Sequence, residues 1–92
     1  MAKIKFSPQA SEAYAQLEKT AGNDQLLDAI DDALDILEAD PGGAQARRRS
    51  FGGGLWGITV RDRSDDWLII SEYDQEDPEL IRVRYLGADP FA

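Results

Sequence analysis

Apolar side chains recur along this chain in two rhythms, period two at both ends and helical spacing between them. The chain begins with alternation: residues 2–6 read as a short strand with Ile4 and Phe6 on one face. Ser7 then supplies an N-cap and Pro8 the first helical position. Ala10, Tyr14, Leu17 and Ala21 fall on one face of a helix running to about Ala21, where Gly22 can end it in a left-handed conformation. Asn23 or Asp24 caps a second helix, whose stripe is Leu26, Leu27, Ile30, Ala33, Leu34 and Leu37. It stops at Asp40, because the residue before Pro41 disfavours helical geometry. So short a turn between the two makes an antiparallel helix hairpin.

After a loop at 41–46 the rhythm returns to two. Residues 55–61 place Trp56, Ile58 and Val60 on one face, against Leu55, Gly57, Thr59 and Arg61 on the other. Residues 67–73 form the most apolar segment and suit a central strand. Residues 80–86 set Ile81, Val83 and Tyr85 against Arg82 and Arg84. Turns at 63–66 and 74–79 are short, which predicts an antiparallel meander. The expected fold is a single α+β domain spanning residues 1–92, in the order β-α-α-β-β-β. Its helix hairpin covers one face of an antiparallel sheet and leaves the other at least partly open.

Composition narrows the chemistry. The chain has 92 residues, 42% hydrophobic and 30% charged, which is globular rather than disordered. No apolar run is long enough to cross a membrane, and the first residues lack a secretory core, so a cytoplasmic protein without a membrane partner is expected. Cysteine and histidine are both absent. That removes disulfides, thiol nucleophiles, Cys/His zinc sites and the usual acid–base side chain of neutral pH. Catalysis, if present, rests on carboxylates, Lys, Arg, Tyr or Ser.

The formal net charge of −8 is unevenly spread: residues 1–46 hold three Lys against nine Asp and Glu, whereas residues 47–92 hold seven Arg against nine. Asp28, Asp31, Asp32, Asp35 and Glu38 lie on the outer face of the second helix, a solvated face or a dock for a basic partner. Against this acidity stands "RRRSFGGGLWG", residues 47–57. The glycines match G-x-G-x-x-G, but a loop precedes them and a strand follows, the reverse of a dinucleotide site. They are expected to serve a turn or bulge at strand entry. Arg47, Arg48 and Arg49 either grip phosphate, which the rigid guanidinium fork suits, or neutralise the second helix. Trp56 and Tyr85 are expected in the core. Tyr73 ends its strand, and a tyrosine beside an arginine can serve as a base.

The layout resembles the RelE/ParE superfamily of toxins from bacterial type II toxin–antitoxin systems. "IKFSPQA" is similar to that family's opening strand and helix start, and "AIDDALDILEADPGG" to its second helix and Pro-containing loop. "GGLWGITV", "WLIISEYD" and "IRVRYLG" are similar to its three later strands. The resemblance spans nearly the whole chain. It implies a cognate antitoxin as partner. In the RelE branch it implies a ribosome-dependent mRNA endoribonuclease, metal-independent and without cofactor, with ribosome and mRNA as further partners. In the ParE branch it implies inhibition of gyrase. The catalytic candidates here are those of a rearranged site, Arg61, Arg84 and Tyr73, and the phosphate-binding ones are Arg82 with Arg47, Arg48 and Arg49, which sit where the family often has basic residues. The family's strand arginines fall on Gly57, Thr59 and Leu68, and its basic C-terminal pair on Ala88 and Asp89. Three readings therefore stand: a ribonuclease toxin, a non-catalytic protein of the same fold that binds an antitoxin or a protein target, and an unrelated small interaction domain.

Overall fold

A computed structural model describes residues 3–40, 42–43, 46–61, 66–74, 76–77 and 79–90. Ala2, Pro41, Gln75, Pro78 and the expected turn residues 63–65 lie outside the described residues. The elements are β1 (Lys3–Phe6), α1 (Pro8–Lys19), α2 (Asp24–Ala39), β2 (Arg49–Gly52), β3 (Leu55–Arg61), β4 (Asp66–Tyr73) and β5 (Leu80–Ala88). One five-stranded sheet has the order β1-β5-β4-β3-β2. β1 runs parallel to β5, and the other neighbours are antiparallel. The expected α+β architecture is present, with one strand more than the hydropathy pattern showed.

The Ser7 hydroxyl accepts a hydrogen bond from the Ala10 amide (3.2 Å), so α1 is capped as the sequence implied. The same hydroxyl donates to the Arg84 carbonyl (3.0 Å), which ties the start of α1 to β5. Gln9 strengthens that joint: its amide nitrogen donates to the Leu86 carbonyl and its oxygen accepts from the Leu86 amide. α1 ends at Lys19, two residues before the expected Ala21, and Gly22 follows at φ +91°.

Both helices pack on one sheet face. Leu26, Ile30, Ala33 and Leu37 of α2 and Ala10 and Leu17 of α1 meet Ile58, Val60, Ile69, Val83 and Leu86. Each large aliphatic side chain buried here contributes roughly 1.5–3 kcal/mol. Leu27 and Leu34, on the margin of the helical stripe, are only half-buried.

Two bulges alter the expected faces. Along β5, Tyr85 pairs with Ile70 but Val83 pairs with Ser71, so Arg84 is the extra residue. A bulge reverses the alternation beyond it. Val83 and Leu86 therefore both face the helices, and Tyr85, expected in the core, lies on the open face with its hydroxyl donating to the Ala88 carbonyl (2.7 Å). The second bulge, between Ser50 and Gly52, belongs to the unexpected strand β2. Gly52, Gly53 and Gly54 have φ of +78°, +61° and +83°, a run that only glycine adopts without strain, and they close the β2–β3 hairpin. The expectation of a glycine turn or bulge at strand entry is met by both at once. Phe51 folds back over Gly57, where a Cβ would lie 2.5 Å from the ring. An aromatic ring thus fills the place of the side chain that Gly57 lacks.

Candidate functional site

β4 ends, β5 begins and the β2–β3 hairpin turns at the same end of the sheet. There they enclose an open groove of about 450 Å³, lined by Gly54, Trp56, Glu72, Tyr73, Asp74 and Arg82 among others. The groove wraps around the sheet end, since Trp56 and Tyr73 lie on the helix side of their strands and Glu72 and Arg82 on the open side.

Arg47 is set beside this groove by the loop leaving α2, its amide donating to the Gly43 carbonyl (3.1 Å). Its guanidinium carbon lies 4.5 Å from the Tyr73 ring centroid and 5.2 Å from that of Trp56. The cation is therefore held between two aromatic faces, an arrangement worth roughly 0.5–2 kcal/mol. Its Nε is buried and has no hydrogen-bond partner among the described residues. Trp56, expected in the core, is instead half-buried and shared between the core margin and this groove.

On the open face Arg49, Arg82 and Arg84 are paired. Arg82 donates through Nε and Nη2 to one oxygen of Asp74 (3.2 and 2.8 Å). That contact, first, with the Glu76 and Asp77 amides, holds the Asp74 carboxyl below its ordinary value. Arg84 bonds Glu72. Arg49 bonds Asp89 (2.7 Å) and lies over Phe51, and the Asp89 side chain is only 5% exposed. Solvent screening makes the two groove pairs weak as stabilisers, but they decide what the arginines present: a guanidinium already holding a carboxylate.

The candidate residues separate into three groups. Arg47, Tyr73, Arg82 and Arg84 gather at the groove. Arg49 sits on the open face, tied to the C-terminal segment. Arg48 and Arg61 are exposed at the other end of β3, beside Asp32 of α2, with no ion pair to it. Register fixes this separation. Leu55, Glu72 and Arg82 align across the sheet at one end, and Arg61 pairs with Asp66 at the other. Six residues of strand are roughly 20 Å, so Arg61 does not join Arg84 and Tyr73, the other two catalytic candidates. The partners Glu72, Asp74 and Asp89 escaped the sequence reading. Glu72 was legible in principle as the cross-strand neighbour of the 82–84 segment; Asp89 carried no signal. Among the described residues no helix is long and apolar enough to cross a membrane.

At the sequence level, no family model and no curated protein matches the chain. Its fold, however, is shared with solved structures. One is a YoeB–YefM complex from Staphylococcus aureus, with a TM-score of 0.66, 18% identity and 95% of each chain covered. Another is the heterotetrameric YoeB–YefM toxin–antitoxin complex of the same organism, with a TM-score of 0.65, 16% identity and the same coverage. The two helices on a five-stranded sheet are thus the fold found in those YoeB–YefM complexes.

Proposed function

We propose that this chain is the toxin component of a type II toxin–antitoxin pair, acting in the cytoplasm as a ribosome-dependent mRNA endoribonuclease through the groove at the Tyr73 end of the sheet. The observation that carries the reading is the fold, shared over 95% of both chains with a toxin–antitoxin complex. The groove adds the chemistry. Arg47 is held rigid between Trp56 and Tyr73, and on the other side of the strands Arg82 lines the groove while Arg84 bonds its Glu72 wall. Strand cleavage needs a 2′-oxygen to form a bond to the adjacent phosphorus while the bond to the 5′-oxygen breaks. The 2′-proton goes to a base and the leaving oxygen takes up a proton. Guanidinium groups fixed in advance stabilise the charge that gathers on the phosphoryl oxygens. When phosphate displaces Glu72 from Arg84, the freed carboxylate stays on the open side of β4, on the opposite side of the strand from Tyr73. Glu72 stands beside Arg84 to take the 2′-proton, and the Tyr73 hydroxyl donates a hydrogen bond to substrate from the other side of the strand. Arg61 and Arg48 stand outside this chemistry.

A second reading has its own observation. Arg49, Arg82 and Arg84 are each engaged by a carboxylate, in a chain of net charge −8. Such a surface resists a polyanion and suits a non-catalytic protein that binds an antitoxin or a protein target such as gyrase.

Primer extension on an mRNA in a cell-free translation reaction separates the two. The nuclease reading expects discrete new 5′ ends that require active translation and disappear with Arg84→Ala. A transcript left intact by the wild-type protein refutes it and leaves the binding reading standing.

A further inference from the structure

Two of the three arginines in the run Arg47-Arg48-Arg49-Ser50 have fixed partners: Arg47 lies between Trp56 and Tyr73, and Arg49 bonds Asp89. Arg48 is exposed and bonds no carboxylate among the described residues. Ser50 is exposed as well. It lies in β2, the last strand in the sheet order, with a neighbour on one side only. Arg49, Ser50 and Gly52 pair with β3, a bulge interrupts that ladder after Ser50, and the glycine run at 52–54 follows. An edge held by so short a ladder peels locally as an extended segment. The Ser50 hydroxyl is held only by a long bond from the Gly52 amide (3.4 Å). Its cross-strand partner is Trp56, which lines the Tyr73 groove and forms one face of the Arg47 sandwich. Opposite residues of an antiparallel pair lie about 4.5–5.5 Å apart at Cβ, and Arg48 is two residues away, roughly 6.6 Å along an extended chain.

We infer that Ser50 is a phosphorylation site for an arginine-directed serine/threonine kinase, and that the added phosphate switches the state of the Tyr73 groove. A kinase of this class reads guanidinium groups two and three residues before the acceptor with carboxylates of its own, and Arg48 and Arg47 hold those places. In the transfer, Ser50 Oγ forms a bond to the γ-phosphorus of a nucleoside triphosphate while the bond from that phosphorus to the β,γ-bridging oxygen breaks. The hydroxyl proton passes to the kinase's catalytic carboxylate, and a nucleoside diphosphate leaves. The phosphoserine carries a charge of about −1.5 to −2 and three strong acceptor oxygens. Arg48 pairs with it first. Arg47, across from it beside Trp56, exchanges two ring faces for charged hydrogen bonds and leaves the sandwich. The groove then loses a fixed cation and gains two uncovered aromatic faces. The other serines fit less well. Ser7 caps α1, Ser71 is buried, and no arginine precedes Ser11. Ser64 follows Arg61 and Arg63, but Asp62, Asp65 and Asp66 surround it with the charge that such a kinase repels. Neither the site nor the switch depends on what the groove binds.

The experiment incubates the full folded chain with a purified arginine-directed serine kinase and radiolabelled ATP, and maps the product by mass spectrometry. Incorporation should approach one phosphate per chain, on Ser50, and vanish in Ser50→Ala. Arg48→Ala should lower the kinase's kcat/KM by about tenfold or more, while Lys5→Ala on the opposite edge strand leaves it unchanged. No label on the native chain, or label on Ser64 or elsewhere that survives Ser50→Ala, overturns the site. The switch is read in Trp67→Phe, which leaves Trp56 as the only tryptophan. Phosphorylation should raise the acrylamide quenching constant roughly twofold as the Arg47 cation leaves the ring, and phosphatase should reverse the change with the cooperative melt retained throughout. An unchanged constant on the fully phosphorylated chain overturns the switch, and so does a rise that comes with loss of the melt. Mapping on the wild-type chain decides the site even if a variant fails to fold.

Discussion

Gly57→Ala is a one-carbon test of how the open face is built. Gly57 has an ordinary strand conformation, so a methyl group there brings no backbone strain and gains roughly 0.5–1 kcal/mol from a stiffer unfolded chain. Against that gain, the new Cβ would lie 2.5 Å from Phe51 Cε2, 3.3 Å from Phe51 Cζ and 3.2 Å from Leu68 Cδ1. Leu68 is fully buried and cannot retreat. Phe51 must therefore turn off Gly57, which carries the usual overpacking cost of about 1–3 kcal/mol. The clash wins, with a net loss of roughly 1–2 kcal/mol. In a domain of this size each kcal/mol moves the melting temperature by about 4–8 °C, so calorimetry should find the variant roughly 4–16 °C less stable. Adding Phe51→Ala removes the clash, and the double variant should be less destabilised than the two single losses summed, by at least about 0.5 kcal/mol. A Gly57→Ala protein that melts with the wild type, or strictly additive losses, would refute the claim that the Phe51 ring occupies this position.

Other outcomes follow from the same geometry. Leu37→Ala, at a site 1% exposed, should lose about 2–5 kcal/mol in urea denaturation. Tyr14 donates to Asp31 (2.6 Å), and that bond first, then burial and the charges of Asp31 and Glu18, push its hydroxyl up to about 12. The folded value lies above the ordinary tyrosine value of about 10. The contribution of the bond is therefore complete below that pH and is lost as pH rises towards 12. Thermal melts of wild type and Tyr14→Phe should converge across that window. Arg47→Ala should cost about 1–2 kcal/mol and, in a Trp67→Phe background, make Trp56 fluorescence easier to quench with acrylamide.

The helix hairpin and three later strands were legible because each carries its own period: the stripe from Leu26 to Leu37, the Ser7-Pro8 cap, and the alternation of Ile58 with Val60. β2 was not, since four residues holding one phenylalanine and a bulge show no alternation. Tyr85 was assigned to the wrong face because a bulge is set by how two strands pair, and the phase of one strand does not contain it. The site was harder still. Residue types pointed to arginine and tyrosine, and the structure does bring Arg47, Tyr73, Arg82 and Arg84 to one groove. Which arginine meets which carboxylate depends on register, and Asp89 meets Arg49 because it continues the β4 ladder one residue beyond β5 (Asp89 amide to Asp66 carbonyl, 2.8 Å).

The parallel pairing of β1 with β5 also governs when the protein comes into being. Lys3 aligns with Leu80 and Phe6 with Val83, and the bonds from Ser7 and Gln9 reach residues 77 positions onward. During synthesis the first strand and the start of α1 therefore wait, unpaired, for the last strand to emerge. Non-local pairing of this kind is slow to form, and the helix hairpin meanwhile exposes the apolar stripe that β3, β4 and β5 later cover. Truncated nascent chains lacking β5 should accordingly remain protease-sensitive and inactive, so that whatever activity the fold supports begins only once β5 has emerged.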